Sequence, residues 1–109
     1  MAYNLNLAER IRAELGEIPF VEKKMFGGVG FLIHGNMAVG VHGQEMIVRL
    51  EAEKTDDALK QKHVRIFDLS GGRPMKGWIL VHSNGVKTEP ALAKWVGVGV
   101  NYAKSLPAK

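Results

Sequence analysis

The chain has 109 residues, 46% of them hydrophobic and 24% charged, with fifteen Lys and Arg against eleven Asp and Glu and no cysteine. A chain of this length buries roughly 60–70% of its unfolded surface, enough for one core without staples. The missing cysteines exclude disulfides, thiolate zinc sites, iron–sulfur clusters and a cysteine nucleophile. The start, Met1-Ala2-Tyr3-Asn4, lacks the basic-then-apolar pattern of a signal peptide. No apolar run reaches the ~18–20 residues of a membrane span. A cytoplasmic location with no membrane partner is the expectation.

Residues 6–15 are predicted to form a helix. Asn6 is its candidate cap, Glu9 stands three residues on, and Leu7, Ala8, Ile11 and Leu15 share one face. Gly16 suits the position after the last turn, and Pro19 forbids continuation. The period then changes. An extended stretch through Val21 and Met25 leads to Gly27-Gly28, followed by apolar runs at 29–33, 37–41 and 46–50. His34-Gly35-Asn36 and His42-Gly43-Gln44 separate these runs, and their central glycines suit tight hairpins. The pattern predicts an antiparallel meander whose first two runs are covered on both faces.

Thr55-Asp56-Asp57 opens a short surface helix with Thr55 as its candidate cap. Strands are predicted over 64–69 and 76–82. In the second, Trp78, Leu80 and His82 face one way, and Ile79 and Val81 the other. Thr88 caps the last helix, with Glu89 and Pro90 in its first turn. Leu92, Trp95, Val96, Gly99, Tyr102 and Leu106 form its apolar stripe. Gly97 and Gly99 mark where another element is expected to approach closely. The order predicts a single α+β domain over 1–109: a curved antiparallel sheet flanked by N- and C-terminal helices.

Few patterns carry chemistry. The run Met25-Phe26-Gly27-Gly28-Val29-Gly30 is rich in glycine, but a strand follows it, Ile33 stands where a dinucleotide loop has its third glycine, and no Gly-Lys-Ser or Gly-Lys-Thr follows. A bulge or bend at Gly27, Gly28 and Gly30 is the expected role, with Met25 and Phe26 packed under the first helix. His34 and His42 lie at opposite ends of one predicted strand, roughly 17 Å apart, too far to share a metal. His63 and His82 have no carboxylate at ligand spacing. Ser70, Ser83 and Ser105 form no nucleophile elbow. No catalytic residue, cofactor site or metal site is therefore expected.

The charge is uneven. Residues 1–54 carry six basic and seven acidic side chains, and residues 55–109 nine and four. Lys62, Arg65, Arg73 and Lys76 are the candidate basic patch in the second half. Scattered solvated lysines are the ordinary alternative. Trp78 and Trp95 both read as core, so exposed aromatics for base stacking are lacking.

Lys24-Met25-Phe26-Gly27-Gly28-Val29-Gly30-Phe31, followed by the His34-Gly35-Asn36-Met37 turn, resembles the N-terminal domain of the TfoX (Sxy) family. Arg73-Pro74-Met75-Lys76-Gly77-Trp78 and the tail with Trp95, Tyr102 and Ser105-Leu106-Pro107 are similar to its small stand-alone members. The resemblance implies an α+β fold and a non-enzymatic regulator of competence or transcription that works through a protein partner of the transcription machinery. Full-length members are thought to act with the cyclic-AMP receptor protein, and they carry a helical second domain that this chain is expected to lack. The motif's Met, Phe and Gly offer no base, nucleophile or charged ligand, which favours an interaction role. A homodimer is one way to cover an exposed apolar patch on such a module. A direct nucleic-acid binder using the basic second half is the alternative reading.

Overall fold

The computed structural model describes residues 3–25, 27–67 and 76–108. Helix α1 runs over Leu5–Leu15 and strands β1–β4 over Val21–Met25, Gly28–Ile33, Asn36–His42 and Glu45–Arg49. A 3-10 turn at Ala52–Lys54 leads into α2, Thr55–Leu59. Strands β5, Val64–Ile66, and β6, Trp78–Val81, precede α3, Glu89–Ser105. The six strands form one sheet in the order β1-β2-β3-β4-β6-β5, with every neighbouring pair antiparallel. This is the predicted α+β architecture, a meander flanked by terminal helices. No helix among the described residues is long and apolar enough to cross a membrane.

Several boundaries differ from expectation, each for a local reason. The cap of α1 is Asn4, whose side chain accepts from the Leu7 amide at 3.0 Å, so Asn6 lies inside the first turn. Thr55 does not cap α2. It is buried, its hydroxyl donates to the Glu51 carbonyl and accepts from the Gly77 amide, and it thereby clamps the chain before β6. The strand predicted over 64–69 spans only Val64–Ile66, and residues 68 and 69 lie outside the described residues. The strand predicted over 76–82 contracts to Trp78–Val81. The turn between β2 and β3 places His34 and Gly35 at φ 53° and 81°, the mirror-image geometry that matches strand twist.

The sheet divides the apolar residues between two clusters. Leu7, Ala8, Ile11 and Leu15 of α1 pack with Leu92, Trp95, Val96, Val100 and Ala103 of α3 on one face. Beneath them lie Val29, Phe31, Ile33, Val39, Val41, Met46, Val48, Ile79 and Val81. Ala58 of α2 joins the same cluster. The other face carries a smaller group, Met37, Ile47, Phe67 and Leu80, to which none of the three helices contributes. Strand alternation enforces this division, since Ile47 and Leu80 each sit between two residues of the helical face.

Helix α3 reaches the sheet through Gly99. A Cβ there would run into the carbonyl oxygen of Ala38, and it would lie 2.6 Å from a Val39 methyl. Gly97 has nothing nearby, so only one of the two glycines serves the close approach that both were expected to share. Past the helix, the Pro107 carbonyl accepts from the buried Asn36 amide at 2.9 Å and ties the end of the chain to the β2–β3 turn.

Polar links fix α1. Arg12 holds Glu22 of β1 through two guanidinium contacts, and this lowers the Glu22 pKa from its ordinary value. Burial, and then a hydrogen bond and charge repulsion from Glu89, raise that of Glu14. A lowered folded pKa adds stability that is complete above the unfolded value and vanishes as pH falls through the folded one; a raised one acts oppositely. In urea unfolding, Glu22→Gln is therefore expected to cost under ~1 kcal/mol at neutral pH, and the deficit should shrink below about pH 4, because the pair is partly solvated. Gly97→Ala should stabilise by about 0.5–1 kcal/mol, whereas Gly99→Ala should destabilise by about 2 kcal/mol or more in the same assay.

Candidate interaction surface

The face without helices is built around glycines. Gly30 of β2 lies opposite Gly40 of β3. With no side chains there, the floor is low, and two methionines fold into it. A Cβ on Gly30 would stand 2.9 Å from the Met25 sulfur and 3.3 Å from the Met37 terminal methyl. One on Gly40 would stand 2.7 Å from that methyl and 2.5 Å from the Val29 carbonyl oxygen. At Gly28 it would overlap the Val41 carbonyl. Gly27 holds φ 73° at the β1–β2 turn, where a side chain would be strained.

The motif residues therefore have roles different from those expected. The β2–β3 irregularity falls between Phe31 and Leu32, not at the glycines, and Ala38 is the extra residue opposite it. Met25 lies on the face away from α1 instead of under it. Phe26 is outside the described residues. Around the methionines, Leu32 and Trp78 remain half-buried, so Trp78 is not the core residue expected. The Phe67 ring packs 5.7 Å from His42 and 6.4 Å from Trp78. On edge strand β1, alternation places Val21 and Lys23 on the same face as Met25, and Val21 is 63% exposed.

The candidate basic patch is partly compensated. Arg65 grips Glu45 through two contacts of 2.6 and 3.2 Å. Lys76 lies 3.8 Å from Asp56. Lys62 is exposed, and Arg73 lies outside the described residues. Two of the four cations, Arg65 and Lys76, thus lie against carboxylates on β4 and α2.

His63 and His82 face each other with ring centroids 6.1 Å apart, beside a shallow cavity also lined by Glu45, Arg65 and Asn84. The His82 Nδ1 accepts from the Asn84 amide at 3.0 Å, so the neutral ring carries its proton on Nε2, the wrong tautomer for a metal ligand there. No group of three metal-capable side chains occurs among the described residues. Of the described hydroxyls, Ser105 bonds to the Tyr102 carbonyl and Thr88 accepts from the Ala91 amide, and neither contacts a base.

The TfoX N-terminal domain model matches residues 12–103, which include the Met25–Gly30 motif, both methionines over the glycine floor and nearly all of α3. The chain belongs to the TfoX N-terminal domain family. No curated protein and no solved structure matches it significantly.

Gly40 belongs to the motif's structure although no sequence pattern named it, and Met37, expected only as the end of the turn after β2, packs over the glycine floor. Their signal was the second glycine in an apolar run, but an unbulged hairpin closed at Ile33 and Asn36 would have set Gly30 against Val39. Because the Gly30 neighbours are flexible methionine ends and the Gly28 neighbour is backbone, the two substitutions should separate. Gly30→Ala is expected to cost about 1 kcal/mol or less, and Gly28→Ala about 2–3 kcal/mol, in equilibrium denaturation.

Proposed function

We propose that this chain is a regulatory protein-interaction module acting in the cytoplasm without a catalytic step, in the control of transcription or competence. Membership of the TfoX N-terminal domain family supports the regulatory part of this reading. The observation that carries the interaction part is the sheet face to which no helix contributes, where half-buried Met25, Leu32 and Trp78 surround a glycine floor beside an exposed edge strand. Methionine adapts its shape to different apolar partners, and an edge strand offers unpaired backbone groups for a protein or a second copy to meet. The basic residues support direct nucleic-acid binding less well, because Arg65 and Lys76 each lie against a carboxylate.

A photo-crosslinking methionine analogue at position 25, compared with one at exposed Ala13 on the outer face of α1, tests the reading in living cells. A transcription protein, or a second copy of the chain, crosslinked from position 25 and not from 13 is the expected result. Equal or no crosslinking from the two positions would overturn it. Duplex DNA binding by fluorescence anisotropy that is tight at low salt and falls steeply with added salt would instead favour the nucleic-acid reading.

A further inference from the structure

The sheet has two edges, and they are not alike. β5 offers three residues, and its one charged side chain, Arg65, is gripped by Glu45 of β4. β1 offers five residues, Val21–Met25, of which the first four are exposed. Along an antiparallel edge strand, alternate residues turn their N–H and C=O groups away from the sheet. No backbone hydrogen bond outside the ladder with β2 reaches Val21–Met25 among the described residues. Roughly 17 Å of edge is therefore open to pairing.

The side chains of β1 define what fits there. Val21, Lys23 and Met25 lie on the helix-free face, and Glu22 and Lys24 on the helical face. Val21 is one of two large apolar residues that stand exposed among those described. The charge of Glu22 is met by Arg12 of α1. Lys23 and Lys24 form no hydrogen bond or ion pair with any described residue. The edge thus carries two uncompensated positive charges between two apolar residues.

A strand laid antiparallel on β1 sets one residue opposite each of these, and directly opposed pairs decide which strand fits. Apolar residues suit the ends, opposite Val21 and Met25. Carboxylates suit the positions opposite Lys23 and Lys24. A second copy of β1 does not meet this need. Brought up antiparallel and centred on Glu22, Lys23 or Lys24, it sets a like charge opposite itself.

We propose that the β1 edge is the docking site for an extended acidic segment of a partner protein, which adds a strand to the six-stranded sheet through backbone hydrogen bonds. Read from its N-terminal end, that segment carries an apolar residue, two carboxylates, one residue of free choice and a second apolar residue. The proposal rests on the protein-interaction reading above and adds the conformation and charge of the partner.

The probes are two acetylated, amidated peptides, Thr-Val-Glu-Glu-Thr-Val-Thr and Thr-Val-Lys-Lys-Thr-Val-Thr, titrated into the isotope-labelled chain and followed by nitrogen–proton NMR. The expected result is saturable shifts centred on Val21–Met25 with the glutamate peptide, and binding about tenfold weaker with the lysine peptide. Added salt should narrow the difference. Lys23→Glu combined with Lys24→Glu should reverse the preference, so that the lysine peptide binds the better. Both side chains are exposed, and a reversal is a gain of binding that loss of folding cannot produce. The proposal is overturned if neither peptide binds, if both bind equally, if the shifts centre away from β1, or if the double variant keeps the original preference. Concentration-dependent shifts of β1 without peptide would overturn it in favour of a second copy, and tighter binding of duplex DNA at Lys23 and Lys24 in favour of nucleic acid. If the peptides fail and position 25 still crosslinks in cells, this proposal falls and the interaction reading stands. If the peptides bind and position 25 does not crosslink, the reverse holds.

Discussion

A six-stranded antiparallel sheet has two faces, and the helices of this chain cover only one. The rest of the structure follows from how the other face is closed. Among the described residues no helix packs on it, and the sheet lowers its own surface. Glycines at positions 28, 30 and 40 remove side chains from β2 and β3, and the flexible arms of Met25 and Met37 fill the resulting hollow. Phe67, Ile47 and Leu80 complete a thin second apolar layer. A motif that offers no acid, base or nucleophile thus has a clear physical purpose: it substitutes two methionines and three glycines for a missing layer of helix.

The helical face depends on a related economy of space. Packing α3 directly on β3 needs a smooth point of contact, and Gly99 against the Ala38 carbonyl provides it. Ala38 is also the extra residue at the β2–β3 irregularity. The same displacement that brings Gly30 opposite Gly40 on one face therefore places a backbone oxygen under Gly99 on the other. The two faces are coupled through one added residue in one strand.

Much of this was legible in the sequence. Apolar periodicity located both long helices, and their buried faces match closely: Leu7, Ala8, Ile11 and Leu15 in α1, and Leu92, Trp95, Val96 and Gly99 in α3. The meander was legible because a glycine stands in each separator, but the turns are the two-residue His34-Gly35 and Gly43-Gln44, and Asn36 and His42 belong to β3 instead of the separators. The cap of α1 was displaced by two residues because Asn4 and Asn6 are equally suited by type, and only the chain's path decides between them. Thr55 was misjudged because a hydroxyl before two aspartates has the same local signature whether it caps a helix or clamps a distant strand. The side of the sheet taken by Met25 depends on the turn at Gly27, and the Gly30–Gly40 pairing depends on a bulge that propensity does not encode. Arg49 on β4 packs against the rings of Trp78 on β6 and Tyr102 on α3, and no local window contains all three. The compensation of Arg65 by Glu45 and of Lys76 by Asp56 spans twenty residues in each case, so a charge tally along the chain overstated the free positive surface.

The bond between the Asn36 side chain and the Pro107 carbonyl, 71 positions apart, has a temporal consequence. Strands β1–β4 are adjacent in sequence and can zip together from local contacts as the chain leaves the ribosome. Their helical face then waits with only α1 to cover it until all six strands are made, since α3 follows β6 and Pro107 follows α3. A nascent sheet of this kind spends its early life with one apolar side partly open to solvent, the period in which aggregation competes with folding. Charged Glu22, Lys23 and Lys24 on the β1 edge are well placed to discourage edge-to-edge pairing during that interval. The residues just past α3 therefore act as the closing latch of a structure whose frame is assembled before them.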